Sequence, residues 1–167
     1  MTHCWIRTSP YTLKSILADG CFKSQIETGY SLNAVEDAEL RTQKDGGAVI
    51  YGYLCNQENG APTHGHDLIL NEYGTAAVRL SDAIKARTSF CISDSLYQDC
   101  ELTPYSDEAV PTNLDEIIPY VEAQYQSVSI EDIEEVVFQV YDGEREPRSI
   151  MAVLQECGIP CSIHSIK

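Results

Sequence analysis

Tyr120-Val121-Glu122-Ala123-Gln124, the run YVEAQ that follows Pro119, alternates polar with small or apolar side chains and reads as part of a strand over Tyr120 to Val128. Alternate residues of a strand share a face, so Tyr120, Glu122 and Gln124 project together. A carboxylate beside an amide can bind a ribose diol and hold a polar nucleophile near its anomeric carbon. Glycosidic cleavage passes through an oxocarbenium-like state, whose positive charge a nearby carboxylate stabilises. The same alternation describes the solvated face of an edge strand, and spacing alone favours that plainer reading.

On the C-terminal side, Ser129 caps a short acidic turn and Glu135 to Tyr141 forms the next strand. Pro147 to Cys157 is a short helix stopped by Gly158, and Cys161 to Ile166 is an edge strand. On the N-terminal side, Asn113 to Ile118 makes a helical turn, while acidic Tyr97 to Thr112, with two prolines, reads as loop. Strands follow at Thr88 to Ser93, Ala76 to Leu80 and Ala48 to Cys55, with a helical turn at Ser81 to Ile84 and a turn-like stretch over Asn56 to Pro62. Phe22 to Gly47 is polar and irregular, a long surface loop of the kind that often carries function. Thr2 to Ile6 is a first strand. Ser9 then Pro10 starts a helix whose Leu13, Ile16 and Leu17 recur at helical spacing, and Gly20 ends it. Many short strands without regular βαβ alternation predict an α+β fold with mainly antiparallel or mixed sheets, in one domain over residues 1–167.

The net charge of −15 opposes a large nucleic-acid footprint and favours a neutral or basic protein partner. One dinucleotide still fits such a surface if an Arg or a helix N-terminus meets its pyrophosphate. No apolar run is long enough to span a bilayer and no secretory signal is recognisable, so a soluble protein without membrane contact is expected. Seven dispersed cysteines without C-x-x-C spacing suit a reduced, cytosolic environment, where most serve as small buried hydrophobes.

Arg7-Thr8-Ser9 joins an Arg to a helix start and makes a small anion site, or equally a capping motif beside a surface Arg. Gly29, within Glu27-Thr28-Gly29-Tyr30-Ser31, permits close backbone approach to a ligand. Tyr51 can stack on a nicotinamide ring, although an aromatic in a strand is more often core, and Asp94 also suits an Asx turn. Glu144 and Glu146 rival Glu122 but sit among exposed charges after Asp142-Gly143. His64 with His66, and Cys157, Cys161 and His164, lack the paired spacing of structural zinc sites, so no metal is expected.

In order, these segments resemble a bacterial group of ADP-ribosyltransferase-like proteins, the domain-of-unknown-function group 3626. Ala18-Asp19-Gly20 through Lys23-Ser24-Gln25-Ile26-Glu27-Thr28-Gly29-Tyr30-Ser31 is similar to its ADG…SQFETGxS run. Tyr51-Gly52, Tyr73-Gly74 with Val78-Arg79-Leu80, Thr88-Ser89-Phe90 with Asp94-Ser95, and Tyr120 to Gln124 match further motifs, over roughly Leu13 to Val137. The group usually continues its EAQ with VHG, where this chain has Tyr125-Gln126-Ser127.

The resemblance implies a split antiparallel β-sandwich with a few short helices around an NAD cleft. It implies that Glu122 stabilises the ribosyl cation as nicotinamide departs and that Gln124 or Asp94 places the acceptor. Arg7, preferred over His3 as the first-strand residue, would orient a phosphate or ribose. Thr8, Glu27, Thr28, Gly29, Ser31, Tyr51 and Asp94 would line the cofactor cleft. An amide at Gln124 favours a hydroxyl acceptor such as Ser or Thr over Arg. Together with the acidity, this predicts a mono-ADP-ribosyltransferase of the bacterial effector or toxin type. Its acceptor would be a protein of a host or competitor cell, ubiquitin being a candidate, with no DNA partner. NAD hydrolysis and a silent ADP-ribose- or protein-binding inhibitor module are the alternatives.

Overall fold

β1 (His3–Thr8) ends where Ser9 turns the chain: Ser9 Oγ accepts from the Thr12 amide at 3.0 Å, and Pro10, with no amide to satisfy, starts α1 (Pro10–Asp19). The computed structural model, which describes residues 1–23, 49–62, 74–92, 101–117 and 120–166, thus carries the first strand two residues beyond the Thr2–Ile6 expectation. Gly20 closes α1 in the left-handed conformation, its amide bonding Ile16 O at 2.9 Å. The long loop expected over Phe22 to Gly47 lies almost wholly outside the described residues.

The remaining strands are β2 (Ile50–Cys55), β3 (Ala76–Leu80), β4 (Thr88–Cys91), β5 (Thr103–Pro104), β6 (Val121–Tyr125), β7 (Ile133–Tyr141) and β8 (Cys161–Ile166). They form one sheet in the order β5-β4-β6-β2-β1-β3-β7-β8. All pairs are antiparallel except β7–β8, whose parallel pairing is made possible by the crossover through α2 (Arg148–Glu156). β8 is an edge strand, as its sequence predicts. The stretch read as loop over Tyr97 to Thr112 contains β5, which covers the other edge, where Pro104 is tolerated.

One sheet face carries Ile6, Val78, Val121, Ala123, Val136 and Phe138, against which Leu13 and Leu17 of α1 and Ile150 and Leu154 of α2 are buried. Each buried Val, Leu, Ile or Phe among them contributes about 1.5–3 kcal/mol. The opposite face holds a second, smaller cluster of Trp5, Tyr53, Cys55, Ala77 and Val137. Cys4 and Cys55 are buried free thiols, as small hydrophobes should be, whereas Cys91 is disulfide-bonded.

The sheet is split at its centre. β1 and β2 pair at His3↔Cys55, Cys4↔Leu54 and Trp5↔Tyr53, and the ladder stops there. Beyond it β1 continues on β3 as far as Thr8, and β2 continues on β6 as far as Ile50. Tyr125 fills the gap: its hydroxyl donates to Trp5 O at 3.0 Å, with Tyr53 O 3.4 Å away. Gly52 makes the room, since a Cβ there would stand 2.1 Å from Trp5 O and 2.6 Å from Tyr125 Cε2. A carbonyl freed from the ladder thereby keeps a partner, as a buried polar group must.

Candidate active site

Arg7 lies two residues after Trp5 and so leaves β1 on the face opposite the helices, beside the split. It is only 7% exposed. Its Nη2 donates to Gly60 O at 3.0 Å, and its guanidinium carbon lies 6.0 Å from the centre of the Tyr53 ring. Nε and Nη1 are buried with no hydrogen-bond partner among the described residues, and no carboxylate there pairs with the guanidinium. Leaving a buried donor unfilled costs about 1–3 kcal/mol, more for a charged group. Two such donors on one fixed fork suit an anionic oxygen pair.

The Asn56 to Pro62 turn lies across the same face. Gly60 O accepts from Arg7 and from the Tyr53 hydroxyl, and Asn59 O accepts from Gln139 Nε2 at 2.9 Å. Gly60 has φ +69°, and a Cβ there would come 2.8 Å from Trp5 Cε3, so this turn sits flat on the indole only with glycine. Burial pushes the Tyr53 phenol up to about 12 against the opposing charge of Arg7, so it stays a donor to Gly60.

Glu122 and Gln124 share this face. They are 5% and 4% exposed, and Gln124 Nε2 donates to Glu122 Oε2 at 3.2 Å. The solvated-edge reading of YVEAQ does not hold, because β6 lies inside the sheet between β4 and β2. β6 ends at Tyr125 rather than Val128, where Gln126 N turns to Arg87 O. Tyr51, half-buried, is registered opposite Gln124 and has the same parity. Arg7, Tyr51, Glu122 and Gln124 therefore converge on one face around the split, with Arg7 on β1 separated from Glu122 on β6 by β2, roughly 10 Å across two strand spacings.

Thr8 has the opposite parity and ends β1 on the helix-covered face. Glu27, Thr28, Gly29, Ser31 and Asp94 lie outside the described residues, as do His64 and His66. His3 shares Arg7's face but stands at the far end of β1, edge-on to Trp5 at 6.3 Å; burial first, then Arg79, lowers its pKa. Glu144 and Glu146 are exposed on the turn that follows β7, outside any strand. His164 meets Asn59 Nδ2 at 3.3 Å, and among the described residues no three His, Cys, Asp or Glu gather as a metal site. Sequence reasoning missed Tyr53, Tyr125 and Gln139. A lone amide in the run Val136-Val137-Phe138-Gln139-Val140 was the available sign for Gln139, and the i+2 spacing from Tyr51 the sign for Tyr53.

The split, mainly antiparallel sheet with its few short helices is an ADP-ribosyltransferase fold. Three solved structures of DarT from Thermus sp. 2.9 share it. The complex with NAD+ is 14% identical with a TM-score of 0.63, covering 97% of this chain and 94% of that one. The complex with ADP-ribosylated single-stranded DNA is 12% identical with a TM-score of 0.63, covering 97% and 93%. The complex with carba-NAD+ is 12% identical with a TM-score of 0.56, covering 99% and 95%. No protein-family model and no curated protein matches the chain.

The DNA complex of DarT corrects the expectation of a protein target, ubiquitin included, and of no DNA partner. That expectation rested on net charge, which sums the whole surface, whereas a strand meets only a local patch. An acidic total of −15 is compatible with a few cations where they are needed.

Proposed function

We propose that this chain cleaves NAD and transfers its ADP-ribose to single-stranded DNA, acting as one domain. The carrying observation is Arg7: a buried guanidinium with two unfilled donors on the face and beside the split where Glu122 is held. An NAD phosphate or ribose oxygen would fill those donors, and a buried cation with no carboxylate counterion among the described residues is explained by a ligand that supplies an anion. That DarT of the same fold is found with NAD+ and with ADP-ribosylated single-stranded DNA supports the reading.

Glu122 would hydrogen-bond the nicotinamide ribose. As the C1′–N bond breaks, nicotinamide leaves with the electron pair, and the carboxylate stabilises the cation that develops on the ribose. Gln124, bonded to Glu122, fixes that carboxylate's orientation and faces the incoming acceptor. An acceptor atom of the strand then attacks C1′ and releases its proton. Tyr51 would pack against the nicotinamide; Glu27, Thr28, Gly29, Ser31 and Asp94 are proposed from their motifs as further cleft residues, and Thr8, on the helix-covered face, is not among them. The order of its motifs supports a likeness to group 3626 and a role as a bacterial effector or toxin.

The test uses NAD labelled in its adenylate with a mixed-sequence DNA strand. Label on the DNA, lost in Glu122→Ala, is the expected result. Free ADP-ribose alone would assign hydrolysis instead, and unchanged NAD would reject the enzyme.

A further inference from the structure

α1 and α2 start beside each other at the rim of the sheet, and a groove of about 850 Å³ opens between Pro10, Tyr11 and Lys14 of α1 and the turn from Glu144 to Ile150. Lys14, Arg145 and Arg148 line it, three of the chain's 11 Lys and Arg. Lys14 and Arg145 have no carboxylate within ion-pair distance among the described residues, unlike Arg79, Lys85 and Arg87, which are paired. Arg148 meets Glu146 only at 3.8 Å, with both side chains largely exposed. Tyr11 is 83% exposed, the largest aromatic exposure on the described surface, and borders the same groove. Glu144 and Glu146 also border it, leaving three cations against two carboxylates, a local balance of +1 on a chain of −15.

We infer that this groove binds the sugar-phosphate backbone and one base of a single DNA strand, outside the NAD-cleaving site. Unpaired cations track phosphates, and an exposed phenol ring offers a stacking platform that any base can use. Pro10 follows Arg7 by three residues, so their Cα atoms lie within about 11 Å; because Arg7 points to the face opposite the helices, a strand leaving the split would reach the groove by turning over the rim of the sheet. The inference rests on the DNA-acceptor reading and extends it: among the described residues, Lys14 and Arg145 are cations without an ion pair, and both line the groove.

The experiment is binding of a fluorescein-labelled, mixed-sequence DNA strand of about 20 nucleotides across a salt series. Lys14→Gln with Arg145→Gln should weaken binding about tenfold or more and flatten the slope of log affinity against log salt by about 1.4, roughly 0.7 for each lost phosphate contact. Tyr11→Ala should cost about tenfold. Glu144→Gln with Glu146→Gln should tighten binding, an effect opposite to that of general damage to the fold. The same samples are assayed for nicotinamide release from NAD without DNA, which the Lys14 and Arg145 changes should leave intact. Unchanged affinity and slope, no strand binding by the wild type, or equal competition by poly-glutamate would overturn the groove. Strand binding through these residues without any label on the DNA would uphold the groove and reject the DNA-acceptor reading.

Discussion

At the scale of single residues, Arg7 is held at a cost to the fold. Its buried guanidinium donates from Nη2 to Gly60 O, while Nε and Nη1 find no partner among the described residues. Replacing a buried charge that lacks a counterion with an apolar chain of similar length often stabilises a protein, by about 1 kcal/mol or more. Arg7→Met is therefore expected to raise the melting temperature while abolishing NAD binding, measured by thermal unfolding with and without NAD. Arg7→Lys, which loses the planar fork, should raise KM for NAD about tenfold with a smaller effect on kcat. Alternation in YVEAQ puts Glu122 and Gln124 on one strand face, but spacing alone favours a solvated edge, and only the motif resemblance singles out Glu122. The sequence could not show that the strand is interior, since burial of Glu122 and Gln124 depends on β4 and β2 closing over both edges of β6.

At the scale of elements, the site exists because β1 and β2 separate after Trp5 and Tyr53. Tyr125 is the wedge, and nothing in Tyr125-Gln126-Ser127 as a string reveals a hydroxyl that reaches across to Trp5 O. Gly52→Ala forces a Cβ against backbone and the Tyr125 ring, and should destabilise by about 1–3 kcal/mol and lower NAD turnover as the split shifts. The turn before β7 offers a pH test. Desolvation alone would raise the Asp132 pKa, but the Ser129 amide at 2.9 Å and Arg87 Nη2 at 2.7 Å outweigh it, so the folded-state value is lowered. A lowered carboxyl pKa stabilises above the unfolded value of about 3.9 and is lost as pH falls through the folded one. Asp132→Asn should therefore cost about 1–2 kcal/mol at neutral pH, with the gap to wild type closing in denaturant titrations below about pH 4.

At the scale of the whole molecule, the α+β class and most strands were legible from short alternating runs and turn residues. The split was not, because it is a relation between β1 and β2 rather than a property of either. The whole-surface charge misdirected the choice of partner, since it averages over Lys14, Arg145 and the acidic turns alike. Among the described residues no helix is long and apolar enough to cross a membrane. The proposed function asks for an anion at Arg7 and a carboxylate at the ribose. The most direct measurement is single-turnover release of nicotinamide by wild type and by Glu122→Gln at saturating NAD, with NAD binding checked separately. Release by wild type, and at least about a 100-fold slower rate in the variant with binding retained, is expected. Equal rates, or no release by the wild type, would contradict it.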